Sequence, residues 1–109
     1  MSGTAWKRTE REAAALIGGR RYWANSGEQV DCESSWALAQ VKHVKACSLA
    51  ALEALALEAE RLGQQRTKVG LVVIRRRGGR GANTPRLVVM TENQFRQMSG
   101  PLPTPPPAG

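Results

Sequence analysis

The chain reads as one α/β domain with a mixed central sheet flanked by helices, in the order helix, three strands, helix, two strands, helix (αβββαββα). Three stretches carry that reading. KVGLVVI, residues 68–74, is a nearly continuous apolar run of the kind a strand buried on both faces needs. LAALEALALEAERL, residues 49–62, has helical periodicity: Leu49, Leu52, Leu55, Ala56, Ala59 and Leu62 fill one apolar arc, with Glu53, Glu58, Glu60 and Arg61 opposite and Leu57 among the charges. VDCESSWALAQVKH, residues 30–43, alternates as a hairpin should.

The other elements follow in order. Residues 6–17 form a helical pattern rich in alanine, stopped by Gly18-Gly19. Residues 21–24 are a short strand candidate, followed by the turn formers Asn25-Ser26-Gly27. Ser48 is placed to cap the second helix, and Gly63 is expected to stop it. After the apolar strand, a loop rich in glycine and arginine (residues 75–85) leads to a second apolar strand, Leu87-Val88-Val89-Met90. Thr91-Glu92-Asn93-Gln94 has the form of a capping box that opens a short last helix. The domain is expected to span residues 1–98. The tail over 99–109, which ends GPLPTPPPAG, is uncharged there and too rich in proline to fold, so it is expected to be disordered.

Side chains alternate along a strand, so Asp31 and Glu33 share a face, as do Trp36, Leu38, Gln40 and Lys42. A two- or four-residue turn through Ser34-Ser35 puts both sets on one face, and a three-residue loop separates them. Under the first condition an acid, an amide and a lysine stand within cross-strand reach.

Composition narrows the partners. Sixteen Lys and Arg against 9 Asp and Glu leave a net charge of +7. That balance favours polyanions, nucleic acid before membrane, with a generally basic solvated surface as the alternative. No apolar run approaches the roughly 18 residues of a membrane span, and no basic-then-apolar leader opens the chain. Cys32 and Cys47 are too few for a disulfide framework or a zinc site and are expected as reduced thiols in a cytoplasm, a host's if the source is viral.

Glu10 falls on the stripe of Trp6, Ala13 and Ile17, whereas Glu12 points elsewhere. A carboxylate on a packing face needs a positive partner. Arg20 or Arg21 could be that partner; alternatively, Glu10 joins Asp31 in a metal site.

The order of Glu10 on a helix, Asp31, then Gln40-x-Lys42 after a short turn and a further helix resembles the PD-(D/E)xK nuclease core. WKRTEREAAALIGGRRYWANSGEQVD followed by AQVKHVK is similar to the Holliday junction resolvases of archaea and to small phage nucleases of that type. The resemblance spans residues 6–98 and rests on order and spacing, because each motif is short. It implies a restriction-endonuclease-like fold, a homodimer, and Mg²⁺-dependent hydrolysis of branched DNA, with Mn²⁺ also accepted. The family's helix glutamate matches Glu10, its strand aspartate Asp31 and its lysine Lys42. Val30 stands where a proline is usual, and Gln40 where an acid is usual. A glutamine oxygen is a hard neutral donor that can still bind Mg²⁺, and Glu33 is the other source of the missing charge.

The resemblance thus assigns catalysis to Glu10, Asp31, Gln40 and Lys42, and metal binding to Glu10, Asp31, the Gln40 amide oxygen and the Val41 carbonyl. His43 faces away from Lys42 and is expected to pack or to touch phosphate. Ser26 lies in the loop ahead of Asp31, where the resolvases carry a serine near the substrate. DNA contacts are expected at Arg8, Arg20, Arg21 and Lys45 beside the site, and at Arg75, Arg76, Arg77 and Arg80 around the glycine loop; a solvated hairpin tip is the alternative for that loop. Such contacts position a duplex without reading bases. The other reading of the whole chain is a catalytically silent nucleic-acid binding protein with the same fold.

Overall fold

The computed structural model describes residues 2–21, 30–78 and 84–99, with side chains for 7–19, 30–78 and 84–98. Its elements are α1 (Ser2–Leu16), β1 (Arg20–Arg21), β2 (Cys32–Glu33), β3 (Ala37–Val44), α2 (Leu49–Arg66), β4 (Val69–Arg76), β5 (Arg86–Val89) and α3 (Glu92–Ser99). The expected αβββαββα order is the observed one. The strands form one five-stranded mixed sheet in the order β1-β2-β3-β4-β5, parallel between β3 and β4 and antiparallel elsewhere.

The two long helices take opposite faces, as the period of two along the strands dictates. Ala13 and Ala14 of α1, with Ile17 just after it, pack with Ala37, Ala39 and Val41 of β3 and with Val69, Leu71 and Val73 of β4. The intervening residues Val72 and Ile74 meet Ala59, Leu52 and Leu55 of α2. β4 is therefore buried on both faces, as its run of apolar residues requires. A Cβ on Gly70 would lie 1.8 Å from the Ala59 carbonyl oxygen, so α2 approaches β4 more closely than any side chain permits.

Several boundaries differ from the sequence expectation. Gly63 does not stop α2: it is buried against Lys68 and Gly70, and the helix runs on to Arg66. Thr67 ends it in the left-handed region at φ 57°, an uncommon conformation for a β-branched residue. At the other end Ser48 caps as expected, its hydroxyl accepting the Ala51 N–H at 3.1 Å. Gly18, at φ 69°, closes α1. The capping box of α3 is half formed. Thr91 Oγ1 accepts the Gln94 N–H at 3.1 Å, while the Gln94 side chain turns inward to accept the Gly70 N–H at 2.7 Å.

Trp36 is a turn residue and not part of the strand. Glu33 pairs with Leu38, so Ser35-Trp36 is a two-residue turn. The Trp36 indole N–H donates to the Ile17 carbonyl at 2.9 Å, tying the turn to the end of α1. β1 is described only as Arg20–Arg21, one residue earlier than expected. The rest of the expected strand, the Asn25-Ser26-Gly27 turn and the tail after Ser99 lie outside the described residues. No helix among the described residues is long and apolar enough to cross a membrane.

Candidate functional site

The register Cys32↔Ala39 and Glu33↔Leu38 is the two-residue-turn case, which puts Glu33 on the same side as Leu38, Gln40 and Lys42, with Asp31 just before the start of β2. The two acids nevertheless meet different surroundings. Glu33, near the turn, is paired with both Arg66 Nη1 and Lys68 Nζ, and its side chain is only 12% exposed. That double clamp removes Glu33 as a source of the charge Gln40 lacks.

Asp31 stands where the ladder breaks. Its N–H donates to the Ala39 carbonyl at 3.0 Å, one position off the β2–β3 register. Its carboxylate then does a strand's work: Oδ2 accepts the Val41 N–H at 2.7 Å. N–H and C=O of one strand residue face the same neighbour, so the Val41 carbonyl faces this edge too. Burial pushes the Asp31 carboxyl above its ordinary range, opposed by the Val41 hydrogen bond and the nearby Lys42 ammonium.

Glu10 joins this locality from α1. Cys32 is fully buried, and its thiol is pushed up to about 12, chiefly by burial and then by the negative charges of Asp31 and Glu10. Both acids therefore act on one sulfur. A thiol so placed stays protonated and is no nucleophile. Gln40 is 7% exposed with its Oε1 enclosed, and Lys42 is half-buried on the same face, towards α2. Glu10 descends on the α1 face, so the two sets meet only around Asp31, at the end of the hairpin away from the turn.

The donors fit a hard cation in kind: two carboxylates, an amide oxygen and a backbone carbonyl are what Mg²⁺ takes. A cation there would also relieve the burial cost of the Asp31 charge. Among the described residues, however, no group of three or more His, Cys, Asp or Glu side chains is disposed to hold a metal. The set offers two charged ligands and neutral oxygens.

The basic residues lie on the same end of the sheet. His43, Arg75 and Arg86 form one row across β3, β4 and β5 on the α1 face. The His43 imidazole is held below its ordinary pKa, first by burial and then by Arg75 and Arg77. Arg76 is exposed at the end of β4, Lys45 and Arg77 are exposed just beyond β3 and β4, and Arg8 projects from α1. Arg75 Nε–H donates to the Thr84 carbonyl at 3.1 Å, which anchors it beside β5. Only the backbone of Arg20 and Arg21 is described, and Ser26 and Arg80 lie outside the described residues. Sequence reasoning missed Glu12, which pairs with Arg86 and, at 3.5 Å, with Arg8. The Arg8/Glu12 spacing of four on a helix was the available signal for half of that arrangement; nothing local pointed to Arg86.

No protein-family model matches the chain, and neither the curated proteins nor the solved structures include a match to it.

Proposed function

We propose that the chain is a metal-dependent, structure-selective DNA endonuclease with a restriction-endonuclease-like core, acting on four-way junctions by phosphodiester hydrolysis. The observation that carries this reading is Asp31: a half-buried carboxylate at the broken end of a hairpin, with Lys42 beside it and Glu10 acting on the same buried sulfur. Such an acid, costly to ionise and set against a lysine, supports a metal-dependent phosphoryl site.

Glu10, Asp31, the Gln40 amide oxygen and the Val41 carbonyl would hold Mg²⁺ or Mn²⁺. When bound, the metal polarises a scissile phosphate and acidifies water. Lys42 orients that water and offsets the charge that develops on the phosphoryl oxygens. The Val41 N–H fixes one Asp31 oxygen, which leaves the other to face the substrate side. Arginines at the strand ends supply affinity. A junction has two like-polarity strands to cut, so two sites related by a two-fold axis are needed, and each chain offers one. The partner copy would pack on α2 and the α2-side face of β5, where Leu57 and Leu87 are each 54% exposed. Sedimentation equilibrium that reads a monomer both with and without junction DNA removes this dimer.

The deciding experiment is nicking of a synthetic four-way junction in Mg²⁺, with linear duplex of the same sequence as control. Cutting confined to the junction supports the reading. Binding without cutting in Mg²⁺ or Mn²⁺ leaves a catalytically silent nucleic-acid binding protein, which the neutral Gln40 and the engaged Glu33 favour.

A further inference from the structure

We propose that the groove between α1 and β5 seats the sugar–phosphate backbone of DNA, and that Glu12 occupies the phosphate position until DNA arrives. The polyanion's identity rests on the function proposed above; the groove's charge and shape do not.

The groove is lined by Arg8, Glu12 and Leu16 of α1, by Arg75 of β4, and by Arg86 and Val88 of β5, with Thr84 and Pro85 closing one end. Two arginines, Arg8 of α1 and Arg86 of β5, thus meet one carboxylate, and Arg75 of β4 lines the same groove. The layering is specific: the Glu12 side chain is 32% exposed, below Arg86 at 38% and Arg8 at 77%. Its Oε1 is enclosed and accepts no hydrogen bond, and Arg8 Nε is 3.5 Å away, too far for one. Oε2 takes Arg86 Nη1. A partly exposed acid between Arg8 and Arg86 helps to neutralise guanidinium groups that remain open to solvent.

A guanidinium fork fits carboxylate and phosphate by the same geometry. Three positive charges against one negative leave a surplus that a carboxylate cannot neutralise and that a run of phosphates can. The surplus continues along the sheet, since Arg86 is in register with Arg75 and Arg75 with His43. The apolar wall made by Leu16 and Val88, 53% and 46% exposed, offers contact to deoxyribose edges. The alternative role for Glu12 is a simple tie between α1 and β5.

The two roles differ in sign. If Glu12 competes with phosphate, Glu12→Gln tightens DNA; if it only ties α1 to β5, the same change weakens DNA binding or leaves it alone. The measurement is fluorescence anisotropy of a labelled linear duplex and a labelled junction in EDTA, over a range of salt, so cleavage does not enter. Glu12→Gln is expected to tighten both roughly threefold, the scale of one partly exposed ion pair, and to steepen the log–log salt slope by about one. Arg86→Gln is expected to weaken both by a similar factor and to flatten the slope by about one. Wild-type or weaker affinity of Glu12→Gln, with an unchanged circular dichroism spectrum, overturns the proposal. If Glu12→Gln does not fold, Arg8→Gln carries the test, and unchanged affinity and slope there overturn it as well. Junction cleavage by a protein whose Glu12→Gln variant binds no tighter removes the groove alone. Tightening by Glu12→Gln in a protein that never cuts removes the nuclease reading alone.

Discussion

Glu33 and Asp31 stand two positions apart at the two ends of one short strand segment, yet the fold treats them as opposites. Glu33, at the turn end, is gripped by Arg66 from the end of α2 and by Lys68 from the entry to β4. Three elements are stitched there, and two positive charges more than offset the carboxylate. Asp31, at the open end, has one backbone hydrogen bond and a lysine in the vicinity, and burial still dominates. The difference separates what an acid does for folding from what it leaves available for chemistry. A matched carboxylate holds elements together; an under-matched one is held ready for a cation or a proton.

The largest expected effect breaks the comparison on the open end. Asp31→Asn and Lys42→Ala should each lower junction cleavage by about 100-fold or more, the scale of removing one preorganised charge. Junction affinity in EDTA should hardly change, because it is assigned to arginines. Glu33→Gln should cut at the wild-type rate per folded molecule. Near wild-type cleavage by either Asp31→Asn or Lys42→Ala would show that the chemistry lies elsewhere.

The next effect falls on the turn end and on stability. Glu33→Gln leaves Arg66 and Lys68, 28% and 21% exposed, facing each other without their shared anion. The loss should be about 2 kcal/mol, the range of hydrogen bonds to charged groups. Urea denaturation measures it. A loss within about 0.5 kcal/mol would place Glu33 among ordinary surface ion pairs and dissolve the contrast with Asp31.

Much of this arrangement was legible in the sequence, and the illegible part has identifiable causes. Element order followed from periodicity, which survives without tertiary information: the 68–74 run could only be an interior strand, and Ser48 could only cap. The shared face of the hairpin acids and Gln40 was conditional on turn length; the two-residue turn meets the condition for Glu33, while the ladder breaks at Asp31. Gly63 misled because a glycine near a helix end signals either a stop or a close approach, and only the position of β4 distinguishes them. Glu33 was offered as a metal ligand because alternation fixes its face but says nothing of Arg66 and Lys68, both more than 30 positions away. Long-range partners of this kind leave no local trace.

A third, smaller change sharpens the open end itself. Gln40→Glu adds a charge beside Asp31 and Val41, so the Mg²⁺ concentration for half-maximal cleavage should fall by about fivefold, near 1 kcal/mol. An unchanged metal titration would take Gln40 out of the metal set. It would leave Glu10 and Asp31 as the only anionic ligands, with neutral oxygens from elsewhere.

The smallest effect concerns the metal-free protein, and its sign is the most telling. Burial raises the folded-state pKa of Asp31 above its ordinary value of 3.8, so the folded protein holds that proton more tightly than the unfolded chain. The stability this contributes is full below about pH 3.8 and is lost as pH rises through the raised folded value. At neutral pH the charged carboxylate is therefore a net cost, and Asp31→Asn removes it while an amide oxygen can still accept the Val41 N–H. In EDTA at pH 7 the variant should melt slightly above the wild type, by well under about 1 kcal/mol, since solvent partly screens the site. The gap should close near pH 3, where both side chains are neutral. Adding Mg²⁺ should raise the melting temperature of the wild type and not that of Asp31→Asn. A variant that melts lower than the wild type at pH 7 in EDTA would mean that Asp31, like Glu33, is matched, and that the fold holds no acid in reserve at that end of the hairpin.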